Sequence, residues 1–343
     1  MKSLLPFILR PENMARYEDG RVLIGDRRKF PFEKVFHVCE SVEQVALAIE
    51  NMVTQGSGPW MAAVHALLLA ADEVAGRSDD EIRVYLASAR QRLIATRPTN
   101  TAMAQRLEKS IPVVEHALEA GLPVQPALQG WVDDMVNQVY RDYAARAQHG
   151  AELIQEGDGV LTHCFAETGF ILTLALAARQ GKSFRVYVPE TRPYLQGAHL
   201  TAPSIHELGI PVTLITDNMP ASFMARGLIH KYMTAADLVT LDGHVVNKIG
   251  TYQNAIAAQY HQIPYYVFIW GLDPGKPDCD SIVIEERNSA AVRQCLGRMT
   301  TLSDIQASYP AFDITPPELV RGMVTTQGVL APEELAHAQN RAL

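Results

Sequence analysis

The sequence predicts an α/β protein: a mainly helical N-terminal domain followed by a domain built on a parallel sheet. Three observations carry this. The chain has 343 residues, more than one core usually serves. Helical spacing dominates residues 1–153. From Gly157 onward, short apolar runs alternate with helical stretches long enough for one crossover each, which is the spacing of βαβ units in residues 154–343.

The first domain opens with two short β segments, Arg21–Gly25 and residues 34–39, separated by a charged turn and Pro31. Ser41 with Gln44 three residues on forms a capping-box pattern. Val42, Val45, Ile49 and Met52 then recur at helical spacing. That helix stops at "TQGSGPW". Further helical patterns run through "WMAAVHALLLAADEVA", "DDEIRVYLASARQRLIAT", "TAMAQRLEKSIPVVEHALEAG" and "GWVDDMVNQVYRDYAARAQHGAELIQEG", with glycine near several ends as a stop signal.

In the second domain "VLTHCF", "FRVYVPE", "PVTLITD", "DLVTLD" and "PYYVFIW" read as five parallel strands, rich in β-branched and aromatic residues. Ligands of such sheets bind beyond the carboxyl ends of the strands. These runs end in His163-Cys164, in Glu190-Thr191-Arg192, in Asp217-Asn218 and in Asp242, so polar chemistry gathers where a site belongs.

Composition excludes several function classes. Hydrophobic residues make up 48% and charged residues 20%, as in globular domains. The net charge is −8, from 30 basic and 38 acidic residues, with no Lys/Arg run of the kind that tracks nucleic acid. No window approaches the length of a membrane span. The N-terminal apolar patch is short, contains Pro6 and is not read as a signal peptide. Cys39, Cys164, Cys279 and Cys295 are far apart and form no CxxC pair. That suits reduced thiols in a cytoplasm and gives neither a disulfide framework nor a metal site.

Four stretches could carry chemistry. In "QGSGPW" the backbone of Gly56, Ser57 and Gly58, leading into a helix, can present N–H groups to a phosphate; an ordinary interhelix turn is the plain alternative. It is no P-loop, and without GxGxxG or GxxxxGK[ST] no nucleotide cofactor is expected. In "LTHC", Cys164 at a strand end is either a nucleophile or, kept protonated, a general acid, against the alternative of a small packed side chain. His163 reads as structural. In "DLVTLDGHVVNKIGTY", Asn247 and Lys248 can hold a phosphate while an Asp relays a proton; a helix N-cap beside a solvated lysine is the alternative. In "ETRPYLQGAHLTA", Gln196 and Gly197 offer donors, and Glu190 and Arg192 allow a structural salt bridge.

Taken in order, "DRRKFP", "VEQVALAIENMVTQG", "TRPTN", "LTHC", "VYVPETRPYLQGAHLTA", "GIPVTLITDNM", "NKIGTY" and "IPYYV" resemble the 5-methylthioribose-1-phosphate isomerase family. Its fold is shared with archaeal ribose-1,5-bisphosphate isomerase and the regulatory subunits of translation initiation factor 2B. The resemblance implies a Rossmann-like C-terminal domain, a homodimer, no cofactor and no metal. It implies an aldose-ketose isomerase acting on a 1-phosphorylated pentose, methylthio-, deoxy- or unmodified, or else a noncatalytic sugar-phosphate or nucleotide sensor. By the same resemblance, Cys164 and an Asp flank the sugar. The phosphate is held by Gly56, Ser57, Gly58, Arg97, Gln196, Asn247 and Lys248. The Asp is expected to be Asp242, at a strand end, although Asp237 lies at the family's spacing from Asn247. The chain departs from the family with Gln55 in place of an Arg, with no Gly-Ala-Asp-Arg segment, and with "THCFAETGF" in place of His-Cys-Asn-Thr-Gly.

Overall fold

A computed structural model describes residues 2–97 and 101–339. The chain forms two compact units, Met1–Arg141 and Asp142–Leu343. The division falls inside the long helix Val124–Leu153, whereas the change of sequence period lies at its end. Side chains of residues 142–153 explain this. Tyr143 packs edge-on to Trp270 with ring centroids 4.9 Å apart, and Arg146 Nη1 donates to the Ile269 carbonyl at 2.8 Å. A Cβ on Gly150 would lie 2.7 Å from the Phe268 ring. A continuous helix gives the sequence no punctuation at the point where its partners change.

The first unit holds an antiparallel sheet of β1 (Ala15–Glu18), β2 (Arg21–Gly25) and β3 (Phe36–Cys39), followed by helices. Helix Val42–Glu50 starts as its residues predict: the Ser41 hydroxyl accepts the Gln44 N–H at 3.3 Å, and the Gln44 side chain accepts the Glu40 N–H at 2.6 Å. Its buried face, Val45, Ala46 and Ile49, belongs to the unit's core. Helix Gly58–Glu73 is buried on nearly every side, as a helix apolar all round must be.

The second unit is organised by a seven-stranded sheet. Its parallel members are β4 (Gly159–Leu161), β5 (Arg185–Pro189), β6 (Val212–Ile215), β7 (Lys231–Ala235), β10 (Tyr265–Phe268) and β14 (Gly322–Val324), and β15 (Val329–Leu330) adds an antiparallel edge. The spatial order is β15-β14-β10-β7-β4-β5-β6. The chain first builds outward from β4 through β5 to β6, then returns to β7 on the other side. The topological switch point therefore lies between β4 and β7, where open α/β sheets leave a crevice for ligands.

One expected parallel strand is corrected. "DLVTLD" does not enter this sheet. Its Leu238–Val239 (β8) pairs antiparallel with Val245–Lys248 (β9), and β9 pairs with Phe312–Thr315 (β13), in the order β13-β9-β8. Residues 294–299 form a separate small hairpin of β11 (Gln294–Cys295) and β12 (Arg298–Met299). The place expected for "DLVTLD" in the parallel sheet is taken by β7, "KYMTA", which lacks a long apolar run. It is nonetheless fully buried through Tyr232, Met233 and Thr234. Its polar groups are satisfied internally: Tyr232 stacks on Tyr265 at 4.3 Å, and the Thr234 hydroxyl bonds the Tyr265 hydroxyl at 2.8 Å.

Candidate functional site

Cys164 follows the end of β4 by three residues and Asp237 follows the end of β7 by two, so both sit at the switch point of the sheet. Cys164 is held in an uncommon conformation, with φ at +58°. Its N–H donates to the Thr191 hydroxyl at 3.1 Å, and its carbonyl accepts from the Thr201 hydroxyl at 2.5 Å. Thr191 is itself fixed by Asp217 beyond β6, whose carboxylate accepts the N–H of Thr191 at 2.8 Å and of Arg192 at 2.7 Å. Thus three successive strand ends hold one thiol in place.

The thiol is partly reachable from solvent yet closely surrounded by protein, the situation of a group in a recess. Desolvation pushes it up to about 11, against the smaller downward pull of Lys248. At neutral pH it is a protonated acid rather than a thiolate nucleophile. Asp237 is likewise open to solvent but ringed by protein atoms, and desolvation raises its carboxyl while Lys248 and Arg287 draw it down. Lys248 is 4% exposed; burial lowers its ammonium, Nζ donates to the Ala311 carbonyl at 3.0 Å, and the Phe312 ring lies 4.6 Å away.

The structure places Asp242, expected in this constellation, in a different setting from Cys164, Asp237 and Lys248. It sits in the hairpin turn between β8 and β9, accepting from the Thr240 hydroxyl and from His244 Nδ1 at 2.9 Å, with Gly243 at φ +92° closing the turn. Desolvation, the largest single influence, raises its carboxyl, but the bonds from Thr240 and His244 and the charge of His244 together outweigh it and leave the group lowered. Asp237 takes the strand-end position because β7, not "DLVTLD", is the parallel strand.

The remaining expected residues divide between the units. In the second, Asn247 is buried on β9 and donates to the Thr251 hydroxyl at 3.0 Å. Gln196 lies in the loop after β5, 5% exposed with its Oε1 unpartnered, just before the π-helical turn Gly197–Thr201. A Cβ at Gly197 would lie 1.8 Å from the Pro189 carbonyl oxygen, so glycine is required there. His163, buried and held toward its neutral form by desolvation, donates from Nε2 to the Ile249 carbonyl at 2.8 Å. Glu190 and Arg192 form no salt bridge among the described residues; Arg192 donates to the Val292 and Gln294 carbonyls instead.

In the first unit, Gly56 has φ +58°, and the Gly58 N–H closes a turn onto the Gln55 carbonyl at 3.0 Å. Pro59 has no N–H, so this helix start presents fewer donors than its glycines suggest. The Ser57 hydroxyl contacts Met14 Sδ at 3.5 Å, and a Cβ on Gly58 would strike the Thr54 hydroxyl. Arg97 donates to the Ile49 carbonyl at 3.2 Å, at the end of the helix that leads into this loop. The rest of its motif, residues 98–100, lies outside the described residues.

Arg287 carries no local sequence signal. Its backbone N–H bonds the Tyr309 carbonyl at 2.9 Å, on a strand-like stretch that leads into β13, and Glu285 takes its guanidinium at 2.9 Å. The rings of Tyr194 and Phe312 each lie 5.6 Å from it. Its charge acts on Cys164, Asp237 and Lys248. Only pairing between distant segments brings it here. Among the described residues no His/Cys/Asp/Glu group could hold a metal ion, and no helix is long and apolar enough to cross a membrane.

A constellation of a protonated thiol, a raised carboxyl and buried cations suits proton transfer on an anionic substrate. Comparison with known proteins places the chain. The model of the initiation factor 2 subunit family matches residues 55–332. Methylthioribose-1-phosphate isomerase of Roseiflexus castenholzii is 36% identical, covering 92% of this chain and 94% of that protein; its namesake from Roseiflexus sp. is 38% identical with the same coverage. The crystal structure of 5-methylthioribose 1-phosphate isomerase from Pyrococcus horikoshii superposes with a TM-score of 0.85 at 29% identity, covering 96% of this chain and 95% of that one. That of the translation initiation factor eIF-2B subunit delta from A. fulgidus gives 0.82 at 31% identity, covering 93% and 96%. The chain therefore belongs to the initiation factor 2 subunit family, the family of the methylthioribose-1-phosphate isomerases that it matches.

Proposed function

We propose that this protein is an aldose-ketose isomerase that converts a 1-phosphorylated pentose, with methylthioribose 1-phosphate the first candidate, to its 1-phosphoketose. The observation that carries the reading is the pairing of Cys164 with Asp237 across the switch point, beside Lys248 and Arg287. Relatives that bear the isomerase name over 92% of the chain support it. The strand order supports a Rossmann-like second unit, and the four free cysteines support a reducing cytoplasm. The homodimer implied by the resemblance belongs to the same proposal, and sedimentation checks it.

The chemistry has a fixed balance. Phosphate on the anomeric oxygen prevents the ring from opening to a free aldehyde. The reaction therefore breaks the bond from C1 to the ring oxygen, moves one hydrogen from C2 to C1, and carries the proton of the C2 hydroxyl to the ring oxygen. Cys164, protonated at neutral pH, is the donor to the ring oxygen, and Asp237 takes the hydroxyl proton. Lys248, Asn247 and Gln196 hold the phosphate in this proposal; Gly56, Ser57, Gly58 and Arg97 are phosphate residues by the family resemblance alone. Desolvation around the thiol keeps it neutral.

A noncatalytic sugar-phosphate sensor is the second reading. Gln55 in place of the family Arg and the likeness to an initiation factor subunit favour it. Turnover separates the two. Phosphorus and proton NMR of the protein with the α-1-phosphates of methylthioribose, 5-deoxyribose, ribose and ribose 5-phosphate should show one converted to its 1-phosphoketose. Line broadening without conversion contradicts the isomerase and favours the sensor.

A further inference from the structure

Asp313 is a half-buried carboxylate that the proposed reaction does not use. It lies on β13 directly opposite Asn247, and Phe312 faces Lys248 in the same register. Its Oδ2 accepts the N–H of Gly250 at 2.7 Å and of Tyr252 at 3.1 Å, while its Oδ1 is buried with no hydrogen-bond partner. The turn it grips follows Lys248 immediately. Gly250 has φ +101°, and a Cβ there would lie 3.0 Å from the His163 ring, so the turn packs flush against that imidazole. The bond from His163 Nε2 to the Ile249 carbonyl, at 2.8 Å, ties the two together. The residue after His163 is Cys164.

A chain of contacts thus runs from the Asp313 carboxylate through residues 249–252 to His163, and so to the backbone that sets the thiol. The same turn fixes the end of β9, where Lys248 points its ammonium at the Ala311 carbonyl. We infer, on the isomerase reading above, that Asp313 is a positioning residue: its carboxylate clamps the turn joining Lys248 to His163 and thereby sets the acid and the phosphate-binding cation relative to each other. It touches no reacting atom. An ionised carboxylate with one oxygen on two N–H groups grips more firmly than a neutral acid. Desolvation pushes this carboxyl up to about 6, against the two backbone N–H bonds. Lys248 on β9, Tyr232 on β7 and Tyr265 on β10 are the titratable groups that interact with it, and neutral His163 lies across Gly250. Only Asp313 among these changes charge in mildly acid solution. The clamp therefore loosens as pH falls through about 6.

The test is Asp313→Asn, which keeps the shape and one acceptor but removes the charge. The inference expects kcat at about pH 8 to fall on the order of tenfold or more, since small misplacements of catalytic groups cost this much. It also expects wild-type kcat to fall as pH drops through about 6 beyond the fall that protonation of Asp237 causes in both proteins, that extra fall to shrink in the variant, and exchange of the Gly250 and Tyr252 amides with deuterium to quicken. A variant with wild-type kcat overturns it. So does a slower variant that keeps the full acid limb, because that is a loss of fold alone. Wild-type protein that converts no sugar phosphate overturns the isomerase reading instead. The clamp then stands or falls on amide exchange: quicker exchange in Asp313→Asn upholds it, and unchanged exchange refutes it.

Discussion

Asp237 and Asp242 lie five residues apart on opposite sides of one short strand, yet their surroundings drive them in opposite directions. Asp242 sits in a hairpin turn, bonded to Thr240 and His244, and its carboxyl is lowered. Asp237, also open to solvent, sits just past the end of a central strand among more protein atoms, where desolvation raises it and two cations act on it. The first is the usual condition of a turn aspartate, satisfied by its own hydrogen bonds. The second is that of a group poised to exchange a proton. What separates them is membership of the parallel sheet, since β7 carries Asp237 to the switch point and β8 carries Asp242 away from it.

The largest test of this contrast is the partner of Asp237. Cys164→Ser should lower turnover roughly 10²- to 10⁴-fold, the usual range for a lost acid or base, with the fold intact by circular dichroism. A Cys164→Ser variant of undiminished kcat would remove the thiol from the chemistry. Lys248→Gln comes next. Losing a charged hydrogen bond to phosphate, about 1.5–3 kcal/mol, should raise KM roughly ten- to a hundredfold more than any change at Asp242. An unchanged KM would place the phosphate elsewhere.

The smallest effect is on stability, and it has opposite signs at the two aspartates. A raised carboxyl holds its proton more tightly in the folded chain, so its contribution favours folding at low pH and is lost as pH rises through the folded value; at neutral pH the ionised group is a cost. Asp237→Asn should therefore raise Tm at pH 7. A lowered carboxyl contributes stability above its unfolded value, which disappears as pH falls through its folded value. Asp242→Asn should accordingly lower Tm at pH 7, with a loss of stability under about 1 kcal/mol because that group is exposed. Thermal melts that move the same way for both would erase the distinction. A gain in Tm with a loss of activity is the familiar trade at catalytic positions.

Much of this arrangement was legible in the sequence. The apolar runs of β4, β5, β6 and β10 end where expected, and the Ser41 start of its helix follows from local hydrogen bonding. Cys164, Gln196, Asn247 and Lys248 all come from loops or strands of the second unit. The misreading at "DLVTLD" has a physical source. That run is more apolar than "KYMTA", but a strand in the middle of a sheet can be built from Tyr and Thr when their hydroxyls bond one another, as Thr234 and Tyr265 do. Hydrophobicity ranked the two strands in the wrong order, whereas the ten-residue spacing from Asp237 to Asn247 pointed to the carboxylate that β7 brings to the switch point. Arg287 and Asp313 were invisible for another reason. Each is delivered by pairing between segments more than sixty residues apart in the case of β13 and β9, and no local pattern encodes such a partner.

The most direct measurement is turnover of methylthioribose 1-phosphate, followed by phosphorus NMR, for wild type, Asp237→Asn and Asp242→Asn side by side. The switch-point site predicts that wild type and Asp242→Asn convert the substrate at rates within about threefold of each other, a small difference for an exposed turn residue, while Asp237→Asn loses roughly 10²-fold or more. An active Asp237→Asn beside an inactive Asp242→Asn would contradict it and move the carboxylate of this reaction to the hairpin turn.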